Sequence, residues 1–373
     1  MDNQTISPRQ FMFLVILFIV GSSILIVPTP LAAQAKQDAW LSISISVLIG
    51  LVLTLFYNHI AKLMEGKTFV QATIMVFGNW FGRFLLIFYL SFLFILASLV
   101  LRNIGDFMTT EIIPETPLQF THILFMIVVV WGAYLGLEVI GRSAEMFMPW
   151  IILLLLFFTV SLAPQIKTEN LQPFLGEGIM PVISSSTIVT GTPLLELIVF
   201  LMIIPYVKDG KTKRKSWVLG VLIGGITLTL TTLFCLLVLG SDLTALNTFP
   251  SYKLAQKISI AGFLEGLEVV IGIIWMLTIF FKIVVLFYSV TVGIAQFLTM
   301  DDHRPLLLPI GMGMIVLSII AYPDVAYFES FVADTWFPYA LTHGLILPAI
   351  VWIGLMIKSK VGKKKNQPRK TSA

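Results

Sequence analysis

Charge is scarce in this chain. Only 12% of its 373 residues are Asp, Glu, Lys or Arg, about half the share of a soluble domain, while 57% are apolar and the mean hydropathy is +0.95. A soluble globular protein is excluded. So is a nucleic-acid-binding surface, because the pI near 9.0 comes from basic loops rather than a basic domain. Cys235 is the only cysteine, so an internal disulfide is excluded. The four histidines, His59, His122, His303 and His343, are scattered and form no recognisable metal set. There is no GxxxxGK[ST] phosphate loop, and no hydrolase motif surrounds any serine, so neither an ATP-driven pump nor an enzyme is expected. No cofactor or metal is implied. No cleavable signal peptide is expected, since no small-residue cleavage site follows a basic start.

What the chain does have is apolar runs. A helix needs about 20 apolar residues to cross the hydrocarbon core, which predicts ten spans near 10–33, 39–61, 83–108, 118–136, 144–163, 180–206, 216–240, 263–298, 305–321 and 334–357. The eighth is too long for a perpendicular crossing and predicts tilt or an extension into water. Of the 24 Lys and Arg, all but six fall in one set of turns and the C-terminal tail. Lys36, Lys167, Lys253 and Lys257 lie in the opposite turns, and Arg102 and Lys282 within or near spans. That bias predicts both termini and the KDGKTKRK turn on the cytoplasmic side, which requires an even number of spans. The basic tail, 358–373, reads as an orientation and lipid-headgroup anchor, with a docking site for a partner's cytoplasmic domain as the alternative.

Two spans are interrupted. The first contains GSSILIVPTP, with Gly21, Ser22, Ser23, Pro28 and Pro30, and the sixth contains TGTP, with Thr190, Gly191, Thr192 and Pro193 followed by Glu196. Glycine and proline cost a helix about 1 and 3 kcal/mol against alanine, and a broken helix in lipid leaves backbone groups without water. Such residues are also common in ordinary membrane helices, where neighbours satisfy a kink. Here the breaks fall in the first helix of each five-helix half. Five is odd, so the halves, 1–163 and 164–357, have opposite orientations. An all-α integral membrane fold of ten helices, a 5+5 inverted repeat of the LeuT or APC type with broken helices one and six, is therefore expected, with a ligand site at the breaks.

Ionisable residues inside a membrane are costly and point to function. Glu196 lies just past the second break. Lys282, in the eighth span, stands ready either to replace a coupling cation or to neutralise Glu196. Arg102, near the outer end of the third span, has a side chain long enough to snorkel to the interface. Glu138, Arg142 and Glu145 mark the cytoplasmic start of the fifth span, with Glu138 and Arg142 four residues apart on one helix face. Trp40, Trp80, Trp217 and Trp352 fall near span ends, where an interfacial belt is expected, and Trp275 near the level of the site.

Several stretches together resemble one family: ISPRQF before span one, its GSSILIVP break, AKQDAW at 35–40, LVLRNIGDF around Arg102, EVIGRSAE, NLQPFLGEGIMPVISSS before span six, FLEGLEVV before span eight and AYPD at 321–324. From end to end the chain resembles the B subunits of bacterial spore germinant receptors, the endospore germination permease family of the amino acid–polyamine–organocation superfamily. The resemblance implies a nutrient germinant sensor in the spore inner membrane, working beside an A subunit with membrane and soluble parts and a lipoprotein C subunit. Carried over, it implies a germinant pocket of Gly21, Ser22 and Ser23 on span one, Thr190, Gly191, Thr192, Pro193 and Glu196 on span six, Phe92 and Leu96 on span three, and Phe281 and Lys282 on span eight. Lys282 departs from the uncharged residue expected in many relatives and suits an acidic ligand or a co-germinant.

Three functions compete on this reading: a receptor subunit that binds an amino-acid-like germinant, a permease for an amino acid or similar solute, and an assembly subunit that holds its partners without ligand.

Overall fold

The computed structural model describes residues 4–208, 212–257 and 268–365, and all of its long elements are helices. Capping chemistry fixes how the first begins. Ser7 Oγ accepts from the Gln10 N–H while the Gln10 side chain accepts from the Ser7 N–H, and Pro8 occupies the first turn, where its missing N–H costs nothing. From this box α1 runs Pro8–Val20, then breaks into α2 (Ser23–Ile26) and α3 (Pro28–Ala35). Pro28 has no N–H to give the Ile24 carbonyl one turn back. Ser251 supplies the missing donor, its Oγ reaching Ile24 O at 2.7 Å.

The next helices are α4 (Ala39–Leu63), α5 (Phe69–Phe107), α6 (Leu118–Leu135) and α7 (Leu137–Leu162). The third span begins earlier than the predicted residue 83, because Phe69–Phe77 is already helical and Gly78, at φ +76°, bends the chain into the main shaft. The fifth also starts earlier, at Leu137, so EVIGRSAE is helix rather than an approach to one. Its Glu145 accepts from Gln10 Nε2 at 2.9 Å and lies 3.4 Å from Arg9 Nε, tying ISPRQF to EVIGRSAE.

The sixth span is α8 (Met180–Val189), a π turn at Thr190–Leu194, a 3-10 stretch at Leu195–Val199, and the short α9 (Phe200–Ile203). Thr192, at φ −128° and ψ 111°, is where the helix opens. Beyond it come α10 (Thr212–Leu239), the short α11 (Ser241–Leu246) and α12 (Pro250–Gln256), α13 (Glu268–Phe297) and α14 (Leu307–Ile320). The last span is divided by two π turns into α15 (Val325–Phe331), α16 (Phe337–Leu341) and α17 (Leu347–Lys365). The start of FLEGLEVV, the middle of the KDGKTKRK turn and the tail beyond 365 lie outside the described residues. Among the described residues, nine helical stretches are long and apolar enough to cross a membrane, and the stretch Arg304–Ile320 is a shorter apolar helix. At 30 residues α13 is about 45 Å long, more than the roughly 30 Å of a hydrocarbon core.

Close packing centres on the two broken spans. Gly220 and Gly224, one turn apart on α10, let Val15 and Ile19 of α1 approach to where a side-chain carbon would stand 2.8 and 3.0 Å away, the small-residue contact that membrane helices use. Phe11, Phe18, Phe200 and Trp217 make edge-to-face contacts at 5.3–6.1 Å. Trp217 is thus core and not interface, whereas Trp80 is 91% exposed. Ser42 and Ser46 of α4 bond Ser185 Oγ and the Ser186 carbonyl, both at 2.7 Å. The SSS run of span six therefore serves helix packing.

Candidate functional site

The two breaks face each other across a narrow cavity of about 30 Å³. Six of the twelve residues expected at the site line it: Ser22 and Ser23 from the first break, Leu96 from α5, Thr192 and Glu196 from the second break, and Lys282 from α13. The side chains of Lys282 and Glu196 are 0% and 1% exposed, with Nζ and Oε2 2.8 Å apart. Lys282 donates to Ser22 Oγ at 2.9 Å and stands 5.1 Å from the centre of the Phe18 ring. The ammonium thus joins the first, sixth and eighth spans, and of its two readings the structure displays the pairing with Glu196. That contact is close but poorly aligned for a hydrogen bond, and Glu196 Oε2 has no other partner among the described residues. Ser23 Oγ and Trp336 Nε1 are also buried without one, and both residues border the cavity. Unpaired buried polar atoms cost about 1–3 kcal/mol each, so this wall holds unused hydrogen-bonding capacity.

The other six expected residues lie elsewhere. Gly21 makes room for Lys282: a side chain on it would stand 2.9 Å from Lys282 Cδ. Thr190 Oγ1 donates to the Ser186 carbonyl at 2.9 Å, and Pro193 is buried in the turn beside Thr192. Gly191 lets the last span pass, with Phe337 Cα 3.3 Å from where its side chain would begin. Phe92 stacks on His343 at 4.9 Å and on Trp336 at 5.9 Å, behind the cavity wall. Phe281 packs on Phe280 and Phe147. Trp275 packs on Phe107 at 4.6 Å rather than bordering the cavity.

Sequence reasoning missed much of the remaining wall. Leu99, Val100 and Asn103 follow Leu96 at helical spacing on α5, and Phe328, Val332 and Trp336 repeat every fourth residue along the last span. The spacing from Leu96 carries a signal for Asn103. Nothing local marks Trp336.

Asn103 connects the cavity to a second buried polar cluster. Arg102 Nε donates to Asp106 Oδ1 at 2.8 Å, and its guanidinium donates to the Ser318 and Ile319 carbonyls at 3.2 and 3.0 Å. Tyr322 Oη donates to Asp106 Oδ2 at 2.6 Å and lies 3.4 Å from Asn103 Oδ1, with Arg102 stacked 4.4 Å from its ring centre. Arg102 therefore does not snorkel. It fastens the third span to the ninth, and this is why LVLRNIGDF and AYPD belong together. On the same side, Lys36 and Glu177, from AKQDAW and the GEG turn, form an exposed pair at 2.7 Å. It raises the Lys36 pKa and lowers that of Glu177.

Among the described residues no group of three or more His, Cys, Asp or Glu side chains is placed to hold a metal ion. The backbone is that of known transporters. Over 95% of the chain it superposes on Mhp1, a nucleobase-cation-symport-1 family transporter in a closed conformation with bromovinylhydantoin bound, with a TM-score of 0.67, 11% identity and 78% of that chain covered. It also superposes on MhsT in complex with L-phenylalanine, with a TM-score of 0.68 at 12% identity, covering 95% of this chain and 99% of that one. At such identity the likeness shows an all-α, LeuT-type transporter fold.

Sequence relatives narrow this. The chain is 30% identical to spore germination protein KB of Bacillus subtilis (strain 168) over 325 residues, 86% of each protein. It is 24% identical to the putative spore germination protein YfkT of the same strain over 355 residues, 95% of this chain and 96% of that one. To spore germination protein XB of Bacillus anthracis it is 20% identical over 350 residues, 91% and 97% of the two chains. Residues 5–325 match the sequence model described as Spore germination protein, and the chain is a non-enzymatic, multi-pass membrane member of that spore germination permease family.

Proposed function

We propose that this chain is the germinant-sensing membrane subunit of a spore germination receptor. It binds a small amino-acid-like germinant in the cavity between the breaks and passes the resulting shift to A and C subunits in the spore inner membrane, with both termini cytoplasmic. Ten spans in two inverted halves, 1–163 and 164–357, followed by the basic tail 358–373, are part of this reading. The observation that carries it is the Lys282–Glu196 pair on the wall of a cavity that still holds unpartnered polar atoms.

The pair makes the pocket bipolar rather than cationic, so the acidic-ligand preference suggested by Lys282 alone gives way to a zwitterion. A ligand carboxylate would take Lys282 with Ser22 and Ser23, its ammonium would take Glu196, and the apolar faces of α5 and the last span would hold its side chain. Inserting between the two charges, the ligand separates spans that the ion pair holds together. A ligand shifts a conformational equilibrium only through its different affinity for the two states, about 1.4 kcal/mol per tenfold change. Lys282 already supplies the positive charge, so binding needs no added Na⁺.

The test is binding and uptake by the purified chain in proteoliposomes, screening amino acids, nucleosides and sugars with and without Na⁺, against Gly21→Val and Glu196→Gln. Saturable, Na⁺-independent binding without accumulation, lost in Glu196→Gln, is expected. Accumulation inside the vesicles would make the chain a permease. Unchanged binding in both variants would remove the cavity from the function.

A further inference from the structure

At the basic end of the bundle, away from the central cavity, a second hollow of about 770 Å³ opens to solvent. Lys62, Lys208, Lys213 and Arg214 line it, with Glu65 as the one carboxylate among the described residues of its lining. We propose that this hollow binds a phosphate group, presented either by an anionic lipid headgroup or by a soluble phosphorylated molecule.

Topology asks for positive charge at this end of the spans, and any position in the turns would serve. Here the charges converge from separate elements. Lys62 comes from the last turn of α4, just before Glu65 and Gly66 reverse the chain with φ of +51° and +80°. Lys208 leaves the sixth span where its N–H donates to Ile6 O at 2.9 Å, in a parallel bridge completed by Ile6 N–H to Tyr206 O at 3.0 Å. Lys213 and Arg214 stand in the first turn of α10, which holds no acidic residue. A helix start carries partial positive charge and disfavours cations. An anion there would meet both that helix start and the Arg214 guanidinium.

The chemistry of the wall suits phosphate better than carboxylate. A phosphate offers oxygens enough for Arg214 to engage with two parallel bonds while the lysines act as point charges on the others. Ile204, Pro205 and Val207 give the hollow an apolar side against which the carbon attached to a phosphate ester packs. None of these residues borders the central cavity, so this site stands or falls independently of germinant binding.

Two probes on the purified, delipidated full chain test it. Native mass spectrometry measures retention of phosphatidylglycerol against phosphatidylcholine, and calorimetry measures binding of inorganic pyrophosphate. The test variant is Lys62→Gln with Lys208→Gln and Arg214→Gln. The charge-matched control is Arg142→Gln with Lys167→Gln and Lys257→Gln. The expected result is a preference of at least fivefold for phosphatidylglycerol, or saturable pyrophosphate binding, that falls at least fivefold in the test variant and survives in the control. A lipid preference without pyrophosphate binding assigns the headgroup, and the converse assigns a soluble phosphate. No preference with either probe, or equal loss in both variants, overturns the proposal. If the triple variant fails to fold, Lys208→Gln alone is measured by the same criteria.

Discussion

Two buried ion pairs, Arg102–Asp106 and Lys282–Glu196, lie near each other in the same membrane bundle and are built differently. Around Arg102 the hydrogen bonds are spent: the guanidinium reaches Asp106 and two backbone carbonyls of the ninth span, and Tyr322 takes the second carboxylate oxygen. Around Lys282 they are not. The ammonium has Ser22 and a poorly aligned Glu196, beside a cavity where Ser23 Oγ and Trp336 Nε1 lack partners. A saturated pair fixes two helices, whereas an unsaturated pair beside a void has somewhere to go. One composition of charges thus yields a fastening in one place and a receptive surface in the other.

The comparison breaks most visibly at Arg102. Arg102→Met strands Asp106 in the bundle and should cost about 3–5 kcal/mol, seen as loss of folded protein in detergent extracts and a lower melting temperature. Adding Asp106→Leu should recover little, because Tyr322 and the ninth-span carbonyls still lack partners. Lys282→Met should cost less than Arg102→Met, since the stranded Glu196 borders a cavity rather than a fully bonded cluster. Adding Glu196→Gln should return the melting temperature to near wild type while ligand binding stays absent. If the second double variant is as unstable as the first, the two pairs are alike and the contrast fails.

Gly21→Val sharpens the same contrast from the backbone side. A side chain there meets the Lys282 stem at 2.9 Å, so it should displace the ammonium and weaken ligand binding about tenfold, about 1.4 kcal/mol, with a smaller change in stability. The least effect is expected at the exposed pair Lys36–Glu177. Glu177 titrates lower and Lys36 higher than usual because each holds the other's charge. The contribution from Glu177 is present above its unfolded pKa and fades as pH falls through its lowered value. That from Lys36 is present below its unfolded pKa and fades as pH rises through its raised value. Between these limits Glu177→Gln should leave the melting temperature independent of pH and nearly unchanged.

Much of the fold was legible in the sequence because lipid imposes length and polarity on each span separately. The runs now seen as α4, α6 and α10 needed no knowledge of their neighbours. The two π turns of the last span were hidden, since they depend on what packs against them: Tyr57 Oη, for instance, donates at 2.6 Å to the Gly344 carbonyl within the second π turn. Within the site, charge and broken backbone pointed to Ser22, Ser23, Thr192, Glu196 and Lys282. Adjacency misled at Phe281, because successive helical residues point about 100° apart and Lys282 already faces the cavity. Phe92 sits one turn from Leu96, and the cavity ends between them. Trp336 arrives from a helix far along the chain, which no periodicity within α5 or α13 announces.

The parallel bridge between Ile6 and Val207 has a mechanical consequence. It joins the segment before the first broken span to the end of the second. Moving the start of α1 without the end of the sixth span therefore means giving up two backbone hydrogen bonds, Ile6 N–H to Tyr206 O and Lys208 N–H to Ile6 O.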